Sequence, residues 1–143
     1  KNITPNVKFD IYGIDKVQPI WADHYFKTIS NAKMGLNLSR GEAIKYYSSD
    51  RITQIVGNGL VCLIDEKTGY RNFFNNNEMI FYKSVNDLSE KIIKISADEK
   101  FRKKVARNGK IKYMKYFNSD LVSEYIIDKT LGIKSNKKYL WEN

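Results

Sequence analysis

Apolar positions along the chain fall into short blocks separated by polar punctuation, and the blocks change period. Val7 to Tyr12 alternates, is rich in β-forming residues and stops at Gly13, which predicts a strand. Ala22 to Asn31 carries Tyr25, Phe26 and Ile29 at helical spacing. Met34 to Leu38 is an apolar run that stops abruptly at Ser39-Arg40-Gly41. A polar loop follows, then a short helical pattern from Asp50 that Gly57 and Gly59 end. Leu60 to Ile64 is uninterrupted, as expected of a strand covered on both faces. Strand, loop, helix and strand in this order predict a βαβ unit with parallel strands.

Further on, Thr68 to Asn75 reads as a short helix and Glu78 to Lys83 as a fourth strand. Ser84, with Asp87 three residues later, is a capping-box start for a helix carrying Leu88, Ile92, Ile93 and Ile95 on one side. Glu90 and Lys94 have the spacing of an i,i+4 ion pair. A basic stretch follows, with Phe101, Val105, Ile111, Met114 and Phe117 assigned to its buried side and Gly109 as an interruption between two helices. Asn118-Ser119 caps a helix running to Leu131, and Gly132 ends it. The order is βαβαβαβ followed by helices. That predicts the α/β class: a Rossmann-like, doubly wound parallel sheet of about four strands with C-terminal helices. Residues 1–132 are expected to form the domain and 133–143 a tail whose Tyr139-Leu140-Trp141 docks on this domain or on another.

Composition narrows the setting. With 143 residues the chain can bury one core, and no apolar run approaches the roughly 20 residues of a membrane span. The single cysteine, Cys62, lies inside an apolar run, excludes an internal disulfide and fits a reducing, cytoplasmic compartment. The lone His24 has no partner for a metal site and reads as a surface or hydrogen-bonded histidine. The first residue is Lys1 and not Met, as in a trimmed segment. Net charge is +9, which asks for an anionic partner: nucleic acid, anionic lipid or a nucleotide diphosphate.

The βαβ unit offers a place for such an anion. Ligands of open parallel sheets sit outside the carboxyl ends of the strands, where Ser39, Arg40, Asp50 and Arg51 are expected to gather, with Gly41 and Ser49 as further candidates for binding a nucleotide sugar. A helix beginning at Asp50 presents unpaired amides and the positive end of its dipole to an anion. Arg51, and Arg40 at the tip of the strand, supply planar cationic forks for phosphate oxygens, while Asp50 is an acceptor suited to ribose hydroxyls. The simpler reading of the same residues is that Ser49 or Asp50 caps the helix and Arg51 pairs with Glu42 on the surface.

The run from Lys33 through Lys115 resembles the C-terminal, donor-binding half of GT-B glycosyltransferases. It is most similar to the group-1-like bacterial transferases of lipopolysaccharide and capsule synthesis and to related spore-protein-like domains. Lys33 to Leu38, Asp50 to Gly59, Asp87 to Ile92 and Arg102 to Tyr116 carry the resemblance. Tyr47-Ser48-Ser49-Asp50-Arg51 is also similar to the Tyr-x-Thr-Glu-Lys signature of bacterial fucosyltransferases. The resemblance implies that Asp50 holds the ribose, that Arg51 neutralises the diphosphate and that Tyr47 lines the nucleotide pocket. The chain departs from the retaining members, whose paired glutamates would fall at Tyr46 and Gln54; Gln54 can still hydrogen-bond ribose. The implied reaction is displacement at the anomeric carbon of a nucleotide sugar. It calls for no metal, and the sequence has no Asp-x-Asp cluster. An acceptor-binding N-terminal half, absent from this stretch, would complete the site, so the isolated chain is expected to be inactive.

Other readings remain. The eight basic residues between Lys100 and Lys115 would suit nucleic-acid phosphates, but their aromatic neighbours fall at core spacing and no nucleic-acid motif is present. The same face would suit an anionic membrane surface. A phosphoacceptor receiver domain lacks its acidic pair. Gly57-Asn58-Gly59 precedes a strand and so is not a dinucleotide fingerprint.

Overall fold

The computed structural model of the protein describes residues 7–38, 41–47 and 49–142. Three parallel strands, β1 (Met34–Asn37), β2 (Val61–Asp65) and β3 (Ile80–Tyr82), form one sheet in the order β1-β2-β3. Met34 lies opposite Val61 and Leu63 opposite Ile80. Helices α1 (Ala22–Asn31) and α2 (Asp50–Gly57) precede and follow β1, and α3 (Val85–Ala97), α4 (Glu99–Tyr116) and α5 (Ser119–Leu131) follow β3. The α/β, Rossmann-like class is therefore observed, with a three-stranded sheet among the described residues.

Strand alternation divides the core in two. Cys62, Ile64 and Phe81 point to one face, where they pack with Ile52, Ile55 and Val56 of α2. Val61, Leu63, Ile80 and Tyr82 point to the other and meet Ile92 and Ile95 of α3. Helix α4 joins both sides: Val105 and Ala106 belong to the second cluster and Tyr113 to the first. It does so by crossing the amino-terminal edge of the sheet. Its Gly109 sits over the Glu78 carbonyl just before β3, and its Lys112 pairs with the Glu78 carboxylate at 2.9 Å. Lys110 lies beside Gly59, just before β2.

Several expectations are corrected. Val7 to Tyr12 is not a strand. Val7 and Phe9 do turn toward the second core cluster, but the segment makes no ladder with the sheet among the described residues. It runs instead into a turn, closed by Gly13 N–H to Val17 O at 3.0 Å, with Asp15 and Lys16 at positive φ. The alternation thus marks an extended segment lying on the core. Thr68 to Asn75 is not one helix but forms part of two 3₁₀ turns, Glu66–Thr68 and Tyr70–Asn72, that Gly69 separates. Gly109 does not interrupt: α4 is continuous, and the glycine is there for contact. A Cβ on residue 109 would stand 2.3 Å from the Glu78 carbonyl oxygen. The inward face of α4 is Arg102, Val105, Ala106, Gly109 and Tyr113, whereas Ile111 and Met114 are exposed. On α3, Ile93 is also exposed. The ion pair on that helix is Lys91–Asp87 at 2.8 Å, not Glu90–Lys94.

Caps fall where the sequence places them. The Ser84 hydroxyl accepts from Asp87 N–H, but the Asp87 carboxylate returns to the Lys83 amide at 2.8 Å and not to that of Ser84. Asn118 caps α5, and Gly132 ends it in the left-handed region. The C-terminal aromatics dock on this same domain: Tyr139 is buried against Tyr125, and Trp141 packs on Phe117. Burial drives the Cys62 thiol up to about 12, so it stays protonated and inert as expected. His24 is exposed beside the Tyr12 ring.

Two outcomes follow from these contacts. Gly109→Ala gains helix propensity worth about 1 kcal/mol but meets a backbone carbonyl that cannot retreat. The clash wins, and denaturant melts will show a net loss of about 3 kcal/mol. The second concerns Asp87, whose carboxyl is held below its ordinary value first by the Lys91 side chain and then by the Lys83 amide. A depressed folded-state pKa contributes stability above the unfolded value and loses it as pH falls through the folded one. Asp87→Asn therefore costs under about 1 kcal/mol at neutral pH. It also removes part of the stability loss that the native protein suffers from about pH 4 downward, as acid-unfolding curves of the two proteins will show.

Candidate functional site

The site begins with the absence of a side chain. On the α2 side of β1, Gly35 faces Ile55, and a Cβ there would lie 2.5 to 2.9 Å from three Ile55 atoms. Without it, α2 settles close on the strand, and burial of Ile52, Ile55 and Val56 holds it down. The Thr53 hydroxyl adds a 2.8 Å hydrogen bond with that of Tyr113 on α4. The amino end of α2 is thereby brought to the carboxyl end of β1.

Two side-chain bonds fasten this junction. Arg51, in the first turn of α2, donates from Nη1 to the Leu38 carbonyl at 2.6 Å, immediately beyond β1. The Ser49 hydroxyl reaches Asn37 Oδ1, at the last position of β1, at 3.4 Å. Asn37 is a polar residue only 4% exposed, so it belongs to the architecture of the strand end. Ser49 is the N-cap by backbone conformation yet makes no side-chain cap bond. The Ile52 amide instead meets the Ser49 carbonyl at 3.1 Å. The alternative pairing of Arg51 with Glu42 does not form among the described residues.

Asp50 is exposed in the first turn. Gln54, half-buried, follows Asp50 by four positions and Arg51 by three, which puts the three on one face of the helix. Ser39 and Arg40 lie outside the described residues. Gly41 is exposed, and Tyr47 is 49% exposed with its amide bonded to the Ile44 carbonyl. The structure thus brings Ser49, Asp50, Arg51 and Gln54 to the β1 edge, with Tyr47 on the loop before them.

Sequence reasoning missed the residue that anchors this loop. Tyr46 adopts φ 61°, a conformation non-glycine residues rarely take. Its amide donates to the Thr68 carbonyl at 2.7 Å, its ring centroid lies 5.1 Å from that of Phe73, and its hydroxyl accepts from Asn72 Nδ2. The loop after β1 is therefore tied to the loop after β2. The lack of a side chain at Gly69 makes room, since a Cβ there would lie 3.0 Å from the Tyr46 ring. Thr68 is fully buried and bonds the Asp65 carbonyl at 2.7 Å. The sequence signal was the pair Thr68-Gly69 after an acidic strand end.

The rest of the edge is braced by ordinary electrostatics. Arg71 pairs with Glu66 at 2.8 Å and lies over the Phe81 ring. Burial, with Asp65 and Cys62 adding to it, raises the Tyr82 phenol above its ordinary value, so its hydroxyl is a neutral donor. Among the described residues, no three His, Cys, Asp or Glu side chains group in a way that could hold a metal ion.

The protein is of the Rossmann-like α/β class, with an arginine and a helix amino end at the carboxyl edge of its sheet. Within that class, a sequence profile described as glycosyl transferase-like matches residues 1–128, and the chain belongs to that family. Neither the curated proteins nor the solved structures compared with it gave a match.

The junction can be tested directly. Gly35→Ala forces Ile55, and with it α2, away from β1. It is expected to cost about 2 kcal/mol in unfolding experiments and to broaden or shift the amide resonances of Asp50 and Arg51. Unchanged resonances there would show that the glycine does not set the position of the helix end.

Proposed function

We propose that this chain is the donor-binding half of a GT-B glycosyltransferase that moves a sugar from a nucleoside-diphosphate sugar to a surface-glycan acceptor of the lipopolysaccharide or capsule type. Family membership supports glycosyl transfer in general. The observation that carries the donor reading is the bond from Arg51 to the Leu38 carbonyl, which fixes a permanently charged guanidinium at the carboxyl end of β1. A guanidinium has five N–H donors and this bond uses one, leaving a fork that suits diphosphate oxygens.

In this reading the diphosphate meets Arg51 and the first-turn amides of α2, and Arg40, outside the described residues, keeps the phosphate role its sequence position suggests. Asp50 and Gln54 take the ribose hydroxyls, Tyr47 lies along the nucleotide, and Gly41 and Ser49 border the phosphates. As the anomeric bond breaks, the pair of electrons leaves with the nucleoside diphosphate. The charge that develops is met by groups already in place, which is the largest source of acceleration in such reactions. The nucleotide sugar is the donor substrate and no metal takes part. If the reaction inverts, the base for the acceptor hydroxyl comes from the acceptor-binding half of the fold.

Titration with UDP, GDP, ADP and CMP, followed by amide resonances, tests the reading. One of the four is expected to shift Asp50, Arg51 and Gln54. Arg51→Gln should weaken that nucleotide at least about tenfold, the loss of a charge-assisted bond. Asp50→Asn should weaken the nucleotide while leaving inorganic pyrophosphate unaffected, because its partner is the ribose. Silence from all four nucleotides in a protein containing both halves would overturn the assignment.

A further inference from the structure

The second electropositive feature lies at the other end of the sheet and shares no residue with the first. Of the eight basic residues between Lys100 and Lys115, two are consumed inside the fold. Arg102 is buried and donates to the Ile95 and Ser96 carbonyls at the end of α3, and Lys112 pairs with Glu78. Eight less two leaves Lys100, Lys103, Lys104, Arg107, Lys110 and Lys115, all exposed. Glu99 neutralises one of them, Lys103, at 2.7 Å. No acid follows Glu99 on α4.

The apolar residues of this face are as informative as the charged ones. Lys100, Lys104, Arg107, Ile111 and Met114 are spaced four, three, four and three apart, so they form one stripe along the helix. Ile111 is 57% and Met114 52% exposed. Lys103, Lys104, Arg107, Asn108 and Ile111 line an open concavity of about 360 Å³. Two cations unpaired among the described residues, Lys104 and Arg107, the Glu99-paired Lys103 and the Asn108 amide therefore border this open space together with aliphatic Ile111. The aromatic residues nearby do not share the stripe as stacking platforms: Tyr113 is buried, and Phe101 and Tyr116 are partly so.

We propose that this face of α4 docks on an anionic phospholipid bilayer, with a lipid phosphate seated among Lys104, Arg107 and Asn108 and with Ile111 and Met114 entering the interface. Charge complementarity selects the partner's sign. The exposed aliphatic pair, together with the absence of any ring from the stripe, selects lipid over single-stranded nucleic acid, which is gripped by stacking on aromatics. Long basic side chains lay their stems along the apolar boundary and keep their charges at the headgroups. Because α4 crosses the amino-terminal edge of the sheet, the docked protein holds the β1–α2 junction at the opposite edge, away from the lipid. Membrane attachment and nucleotide binding are thus separable, and this inference stands whether or not the donor reading does.

The test is co-sedimentation of the native protein with vesicles of phosphatidylglycerol and phosphatidylcholine, against vesicles of phosphatidylcholine alone. Binding is expected only to the anionic vesicles and should be lost at high salt. Lys104→Gln with Arg107→Gln should weaken it roughly 25-fold, about fivefold for each charge near the surface. Ile111→Ser with Met114→Ser, which leaves the charge unchanged, should also weaken vesicle binding but not retention on a polyanion such as heparin. All four side chains are exposed, and circular dichroism of each variant checks that the fold is kept. Equal binding to neutral vesicles, no loss in the Gln pair, or insensitivity to the Ser pair with tighter binding to a single-stranded oligonucleotide would each overturn the proposal.

Discussion

The contact between Gly35 and Ile55 sets the geometry of the β1–α2 junction at the carboxyl edge. A side chain on the strand would hold α2 away by the thickness of a methyl group. The Arg51 guanidinium could then no longer reach the Leu38 carbonyl, nor Ser49 the Asn37 amide oxygen. Position here is set by packing, and the hydrogen bonds record it: each is worth about 1 kcal/mol net, whereas burying Ile52, Ile55 and Val56 contributes several. A short helix would not hold its first turn in place without that buried face.

The opposite edge obeys the same rule with a different partner. Gly109 lets α4 lie directly on the Glu78 carbonyl, and the Lys112–Glu78 pair closes beside it. The consequence is a helix that covers the amino ends of β2 and β3 and turns its remaining cations outward. One sheet therefore separates two cationic regions. At the carboxyl edge the Arg51 guanidinium is fixed by a 2.6 Å bond, which would suit recognition of a defined ligand. At the amino edge Lys100, Lys104 and Arg107 stand exposed along a stripe, which would suit a diffuse anionic surface whose attraction falls off within about 10 Å at 0.1 M salt.

How much of this could be read in the letters depended on whether the signal was local. The helices at Ala22, Asp50, Val85 and Ser119 were legible because caps, glycine stops and apolar spacing are written within a few residues of each other. The two apolar runs of the βαβ unit were legible for the same reason. Val7 to Tyr12 was not, because alternation shows only that one side meets the core, as Val7 and Phe9 do, and says nothing about whether a strand edge is available to pair with. Gly109 misled because a glycine in a helix looks like a break until the carbonyl it accommodates is known. Ile111 and Met114 misled because spacing assigns a face and not what covers it. At the site, the Ser49–Asp50–Arg51 junction was visible as a loop entering a helix. Tyr46 was not, since its role depends on Thr68, Gly69 and Phe73, more than twenty residues away.

The aromatic residues explain why a loop at one corner and the C-terminal segment belong to one body. Tyr46 packs on Phe73, Phe73 on Phe117 and Phe117 on Trp141, with centroid separations of 5.1, 5.8 and 5.6 Å. Phe74 and Tyr113 stack onto the same Phe117 ring, which ties the row to the core beneath α4. Rings have few rotatable bonds, so they bury large areas at small entropic cost. A row of them therefore resists displacement at either end. Two ion pairs, Lys137–Glu124 and Lys129–Glu142, flank the segment that carries Tyr139 and Trp141, but they are exposed and hold it less firmly than the rings do. The strain of a left-handed Tyr46 persists only because this row and the Thr68 carbonyl over-determine its position. Tyr46, on the loop that precedes Asp50 and Arg51, is thus held in part by residues at the far end of the chain.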